Sequence, residues 1–245
     1  MSDAEFISAS GDWVVGVAHV GGINMHTKDE IGEIIRLLEE CYPEPTCALE
    51  YAKDYELLFA ARLAAQCTDA RVNTVTPVLF ERYASLEAIA EADLGELEGI
   101  VHPCGFFRTK ARDIVAAATM LLTEFGGCVP DTMEELLRLP GVGRKTANLM
   151  LGDIHKKPAV VVDTHCIRLS NRIGLVDTKD PAKIEAKLRD ILPPEHSSDF
   201  CHRLVLHGRA VCTARKPNCG DCSIAMLCGH FATLAWATPT MHNAK

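Results

Sequence analysis

Four cysteines in the 245-residue chain, Cys212, Cys219, Cys222 and Cys228, fall within 17 residues in the spacing C-x6-C-x2-C-x5-C. Four thiolates from one short segment can wrap a metal centre, and zinc and an iron–sulfur cluster both suit such a donor set. The paired C-x2-C knuckles typical of zinc ribbons are missing. A second string with chemical potential is Leu139-Pro140-Gly141-Val142-Gly143-Arg144-Lys145-Thr146-Ala147. Gly141 and Gly143 stand in the link between two helices, where a glycine backbone turns sharply and can approach a bulky anion. The helix that starts there aims unpaired N–H groups and the positive end of its dipole outward, which suits a phosphate of a DNA backbone. Such contacts carry no sequence preference. The bare G-x-G also fits a plain glycine cap, but Pro140 before it and Arg144-Lys145 after it favour DNA.

Lys145 falls in the first turn of that helix. A lysine amine of ordinary basicity is neutral in only about one molecule in a few thousand at pH 7, so nucleophilic work by a lysine needs help. A helix N-terminus and the loss of water beneath a bound duplex both favour the neutral amine. Asp163 stands just before another predicted helix, in Val161-Val162-Asp163-Thr164-His165. Spacing alone reads Lys145 as a solvent-exposed helix cation and Asp163 as an N-cap, and a capping carboxylate can serve a second purpose.

The string LPGVGRKTAN resembles the helix-hairpin-helix of the endonuclease III family of DNA glycosylases, and VVDTHCIRLSNR resembles the loop and helix that follow it there. LAAQCTDARVN earlier and LHGRAVCTARKPNCGDCSIAMLC later extend the likeness from about Thr27 to Gly229, with the motifs in the same order. The resemblance implies a bifunctional base-excision repair enzyme that removes oxidised pyrimidines from duplex DNA and cleaves the abasic site. It gives Lys145 the attack on C1′ of the damaged nucleotide and Asp163 the essential carboxylate. The lysine then forms a Schiff base that permits β-elimination of the 3′ phosphate. Positive charge building on the sugar as the base leaves is stabilised by the carboxylate, which can also accept a proton.

The resemblance further implies a [4Fe-4S] cluster on Cys212, Cys219, Cys222 and Cys228, whose loop holds Arg215 and Lys216 toward DNA phosphates. Gly141, Gly143, Arg144 and Thr146 would meet the backbone at the hairpin. A target atom hidden in a duplex requires the nucleotide to be extruded and the gap filled. The family likeness places Gln66 in the gap-filling loop and Phe106, in CGFFRTKA, at the intercalating wedge. Family members often carry an aliphatic residue where Phe106 stands and a serine where Ala64 stands. Read without the family, Phe106 and Phe107 are core residues opening a helix. The adenine-mismatch branch is the nearest rival. It generally lacks the lysine, and its extra C-terminal recognition domain has no room after Cys228. A non-catalytic DNA-binding module and a small iron–sulfur electron carrier are rivals of other classes, and the second would not need the hairpin.

The elements that must position these residues are helical. Apolar residues recur three and four apart from Ile31 to Leu38 and over roughly 54–67, 70–83, 106–125, 143–152, 165–174, 182–192 and 198–210. Asp131 followed by Glu134 predicts a capping-box start for a short helix ending at Leu139-Pro140. Ala159-Val160-Val161-Val162 is the best strand-like run, and it is too brief to do more than connect helices. The expected class is all-α with two helical subdomains flanking the active site. One is built from both ends of the chain, 27–44 and 154–230, and carries the cluster loop. The other covers 45–153 with the hairpin at about 133–152. Residues 1–26 read as a poorly specified extension, with Met25 an alternative start, and 231–245 as a tail.

Composition is ordinary for a globular protein, at 48% hydrophobic and 24% charged residues. No run of 18 apolar residues exists to cross a membrane, and the acidic N-terminus does not read as a signal peptide. The expected setting is cytoplasmic, with duplex DNA as partner and the chain a monomer. The net charge of −8 counts against DNA until it is divided. Residues 1–100 hold 6 Lys/Arg against 19 Asp/Glu, whereas residues 101–245 hold 19 against 14, a balance of +5 that leaves the later part able to face phosphates. The remaining cysteines, Cys41, Cys47, Cys67, Cys104, Cys128, Cys166 and Cys201, read as small buried apolar residues.

Overall fold

A computed structural model of the chain describes residues 26–237, with side chains to Leu234. The expected extension over 1–26 lies outside the described residues except for His26; of the expected tail over 231–245, residues 231–237 continue a helix and the rest lies outside the described residues. Local signals account for most helix starts. Thr27 opens α1 (Lys28–Cys41) with a capping box, its Oγ1 accepting from Glu30 N at 3.2 Å while Glu30 Oε2 accepts from Thr27 N at 2.7 Å. Side chains of Thr68, Ser85, Asp93 and Asp180 likewise cap α3 (Asp69–Arg82), α4 (Leu86–Ala90), α5 (Leu94–Val101) and α10 (Pro181–Ile191). The others are α2 (Asp54–Leu63), α6 (Phe107–Glu124), α7 (Met133–Leu136), α8 (Arg144–Leu149), α9 (Thr164–Ile173), α11 (Ser197–Ala210) and α12 (Gly229–Ala237). No strand occurs among the described residues, and the run 159–162 connects helices.

The longest helix, α6, buries Lys110, Ala111, Ile114, Ala117, Ala118 and Leu121 on one face, against α4, α5 and α2. At the other end of the molecule α11 packs on α1 and α9, and α12 on α9. Each fully buried Leu or Ile in these seams stabilises the fold by roughly 1.5–3 kcal/mol relative to exposure. Between the two groups of helices opens a cleft of about 540 Å³.

Several sequence expectations need correction. Helices α4 and α5 lie in a stretch where no helix is predicted; both are short, and Gly95 and Gly99 dilute the apolar pattern of α5. The cap of α7 is Thr132, not Asp131: Glu135 N donates to Thr132 Oγ1 at 3.3 Å, while Asp131 is paired with Lys157 at 2.6 Å. That helix ends at Leu136 rather than at Leu139-Pro140. The helix expected over 54–67 stops at Leu63, because Gln66 takes a positive φ of 55°. Past Leu149 the hairpin helix widens into a π turn, Met150–Ile154, with His155 N donating to Met150 O at 3.2 Å. Gly152 within this turn packs against Ser198, which a Cβ there would overlap. Of the seven scattered cysteines, Cys104, Cys166 and Cys201 are buried as expected, but Cys41 and Cys128 are exposed and Cys47 and Cys67 only half-buried.

Candidate active site

Gly141 is the pivot of the hairpin between α7 and α8. Its φ of +76° is strained for any residue with a Cβ, and a Cβ would also meet Arg62 Nε at 2.5 Å and Asp113 Oδ2 at 2.8 Å. Those two groups form an ion pair, with Nη2–Oδ2 at 2.7 Å, so the turn rests on a charged buttress supplied by α2 and α6. Gly143 then caps α8 and has open space around its α-carbon. Glycine suits an N-cap, and the open space beside it leaves room for a docking group. The backbone N–H groups of Arg144, Lys145 and Thr146 have no protein acceptor among the described residues, as expected for a first turn.

The two cations opening α8 part company. Arg144 is bound by Glu185 of α10, through Nε–Oε2 at 2.9 Å and Nη2–Oε1 at 2.6 Å. Burial would raise the Glu185 carboxyl, but Arg144, with Asn148 and Arg189, holds it below the ordinary range. Arg144 does not line the cleft. Lys145 does; it is exposed, and its Nζ has no hydrogen-bond or ion-pair partner among the described residues.

Asp163 faces the same cleft from the start of α9. Its Oδ1 accepts from Cys166 N at 2.7 Å, the N-cap bond expected from sequence, which leaves Oδ2 without a partner among the described residues. One wall thus presents a free amine and another a half-buried carboxylate whose aim is fixed by a backbone bond. Gln66, Gly141, Gly143 and Thr146 line this space too. So does His202, which sequence reading missed; its Nε2 lies 2.8 Å from Asp153 Oδ1, which stands behind the lining, the two side chains only 12% and 9% exposed. The π turn delivers Asp153 to this contact, and such a distortion has no local sequence signal. Arg209 and Asp69 pair at 2.6 Å, joining α11 to α3.

Phe106 lies outside the cleft lining. It is 67% exposed with a φ of 49°, so it is not a core residue; Phe107 behind it is half-buried, its ring 4.6 Å from that of His102. A large apolar side chain held out in water on a strained backbone calls for a partner.

The four clustered cysteines line one cavity between α9, α11 and the segment 217–231. Burial, with Cys228, Cys212 and Cys219 nearby, pushes the Cys222 thiol up to about 11. Thiols gathered this closely oppose one another's ionisation, and a cationic centre removes that penalty. The surroundings supply donors. Arg172 Nη1 lies 3.2 Å from Cys212 Sγ, and its guanidinium also binds Thr213 O and Ala214 O, each at 2.8 Å. His207, whose burial favours the neutral ring, places Nε2 3.4 Å from Cys222 Sγ and Nδ1 3.3 Å from Tyr42 Oη. The donor set fits an iron–sulfur cluster with a ready ring of outer hydrogen bonds. Arg215 and Lys216 project from the same loop, exposed and with no side-chain partner among the described residues.

Comparison with known proteins agrees with this geometry. Residues 59–194 match the HhH-GPD superfamily of base excision DNA repair proteins, and residues 212–228 match the iron–sulfur binding domain of endonuclease III. The chain is 48% identical to Endonuclease III of Synechocystis sp. over 202 residues, covering 82% of this chain and 92% of the relative. Against Endonuclease III of Escherichia coli K12 the identity is 39% over 196 residues, 80% and 93% of the two chains. A solved structure of a trapped endonuclease III–DNA covalent intermediate superposes with a TM-score of 0.80 at 38% identity, covering 86% of this chain and all of that one.

Proposed function

The chain belongs to the endonuclease III family of base-excision DNA repair proteins, and from that premise we propose how its residues divide the work. The enzyme is a DNA N-glycosylase and abasic-site lyase with a [4Fe-4S] cluster. Lys145 is the nucleophile and Asp163 its carboxylate partner. The single observation that carries this is an exposed amine with no protein partner in the same cleft as a carboxylate with one oxygen uncommitted. That a relative's structure is described as a covalent intermediate with DNA supports the same assignment.

Lys145 attacks C1′ as the C1′–N bond to the base breaks, and the Asp163 carboxylate stabilises the positive charge that builds on the sugar. Loss of a proton from nitrogen and opening of the sugar ring give the imine. Removal of a C2′ proton then expels the 3′ phosphate, and water releases the shortened product. Gln66 fills the gap left by the extruded nucleotide and Phe106 wedges the stack. The first-turn N–H groups of Arg144 and Thr146, with Gly141 and Gly143 allowing close approach, bind backbone phosphates. Cys212, Cys219, Cys222 and Cys228 hold the cluster, which gives the loop bearing Arg215 and Lys216 the rigidity to meet other phosphates. The substrates are oxidised pyrimidines in duplex DNA. The enzyme acts as a monomer inside the cell, and no described helix is long and apolar enough to cross a membrane.

Borohydride reduction during reaction with a duplex containing an oxidised thymine tests the proposal. A covalent adduct mapping to Lys145 is expected. An adduct through another residue, or none, removes the assigned chemistry.

A further inference from the structure

Lys110 is the only charged side chain among the described residues with no exposure to solvent at all. It has no carboxylate partner among the described residues. Its Nζ donates instead to two backbone carbonyls, Leu63 O and Cys104 O, each at 2.8 Å. A buried ammonium is costly to keep, so what it holds together merits a physical account.

Both acceptors end helices. Leu63 is the last residue of α2, and Cys104 is the last of the 3-10 turn His102–Cys104. Carbonyls at helix C-termini lack intrahelical partners and carry the negative end of the dipole, so one ammonium completes two helix ends at once. Just beyond each end stands a residue with a bulky side chain and positive φ: Gln66 at 55° and Phe106 at 49°. Among the described residues only Lys156 shares that property. Backbone strain of this kind persists where surrounding contacts over-determine it. The turn at 64–67 is otherwise tied within itself by Ala65 N to Arg62 O at 3.4 Å and Cys67 N to Ala64 O at 3.1 Å, and to the 102–104 turn by a weak thiol contact between Cys67 and Cys104, so the Lys110 ammonium is the one charged tie between the two turns.

We propose that Lys110 is a positioning residue for nucleotide extrusion, its ammonium tying the end of α2 to the end of the 102–104 turn so that Gln66 and Phe106 enter the duplex at a fixed separation. The proposal rests on the reading that these two residues are the intruding ones. Two intruding groups act together only if their spacing matches the opened base step, and the two carbonyls bridged by Nζ close the helical segments that lead into them.

The test uses cluster-bearing enzyme and a duplex with an oxidised thymine beside 2-aminopurine, which brightens when unstacked. At saturating enzyme, Lys110→Met and Lys110→Gln are expected to lose most of the fluorescence rise. They should excise the base roughly ten- to a hundredfold more slowly in a single turnover. Affinity for undamaged duplex should hold within about threefold, because phosphate contacts elsewhere set it. Where Lys110→Met does not fold, the milder Lys110→Gln, which keeps an amide donor, carries the comparison, with melting and absorbance near roughly 400 nm as checks. Adding Gln66→Ala and Phe106→Ala should cost wild type heavily and Lys110→Gln almost nothing further. Additive losses, a wild-type extrusion signal, or parallel loss of undamaged-duplex binding would each overturn the positioning role. If Gln66→Ala with Phe106→Ala leaves extrusion by otherwise wild-type enzyme unchanged, the intrusion reading itself fails, and the Lys110 proposal falls with it.

Discussion

Lys145 and Lys110 each sit in the opening turn of a helix that follows a tight turn, yet their environments are opposite. Lys145, behind Gly141 and Gly143, is exposed and unpartnered in the cleft. Lys110, behind Gly105 and Phe106, is wholly buried on two carbonyls, and burial pushes its amine below the ordinary lysine range. The difference shows how one residue type is turned to two ends. An amine that must bond to substrate is left without protein acceptors, whereas one that must hold backbone together has its donors committed. Substitutions that separate chemistry from architecture test this division most directly.

The largest effect is expected at the free amine. Lys145→Gln removes the nucleophile and no contact of the folded protein, so strand cleavage should fall by at least about a thousandfold and the borohydride adduct should vanish. Stability should change by less than about 0.5 kcal/mol, as for other surface positions away from special features. A melting midpoint that drops with activity would mean that Lys145 also supports the hairpin, and the contrast with Lys110 would weaken.

Asp163 sharpens the comparison, because it combines both kinds of role. Asp163→Asn keeps an N-cap acceptor and loses the charge, whereas Asp163→Ala loses both. Each should slow base excision by roughly a hundred- to a thousandfold, the scale on which removal of a transition-state electrostatic partner is felt. Only the alanine variant should lose a further ~1 kcal/mol of stability, measured by denaturant unfolding. Equal stability of the two variants would show that the Oδ1 bond to Cys166 N contributes nothing.

How far these roles were legible in the sequence follows the same division. The hairpin could be read because its requirements are local: Gly141 for a positive φ, a helix start at Arg144, and cations beside it. Asp163 was legible as a cap, and the four cysteines by their spacing, for the same reason. What escaped depends on packing. Read without the family resemblance, which placed it at the wedge, Phe106 looked like a core residue because apolar side chains usually are, and the left-handed turn before α6 leaves it exposed. The Asp153–His202 contact is made from a π turn whose Gly152 packs directly against Ser198. Lys110 did leave a trace: it shares a helical stripe with Ile114, Ala117 and Leu121, all buried, where an exposed lysine would fall out of register.

Gly141 offers a smaller, architectural effect. Gly141→Ala places a Cβ against the Arg62–Asp113 pair at a positive φ, so a loss of about 1–3 kcal/mol is expected. Gly143→Ala meets no protein atom and loses only a favourable N-cap residue, so its stability cost should be the smaller of the two while duplex affinity falls. If both substitutions acted alike on stability, the open space at Gly143 would not mark a docking surface.

The smallest effect concerns Arg144, the cation beside Lys145 whose guanidinium is committed to protein. Glu185, its side chain only 6% exposed, is held below the ordinary carboxylate range, so its ionised form is favoured in the folded state. A carboxyl depressed in this way adds stability that is complete above its unfolded value and is lost as pH falls through its folded value. Because Arg144 is 54% exposed, solvent screening limits the contribution to about 1 kcal/mol. Wild type should therefore melt slightly above Glu185→Gln at neutral pH, with the gap closing as carboxylates protonate in acid. Releasing the guanidinium should also steepen the salt dependence of duplex binding in the glutamine variant, since a freed cation can displace a counterion. A salt slope identical to wild type would place the Arg144 guanidinium away from DNA whether or not Glu185 holds it, leaving only its backbone N–H at the hairpin.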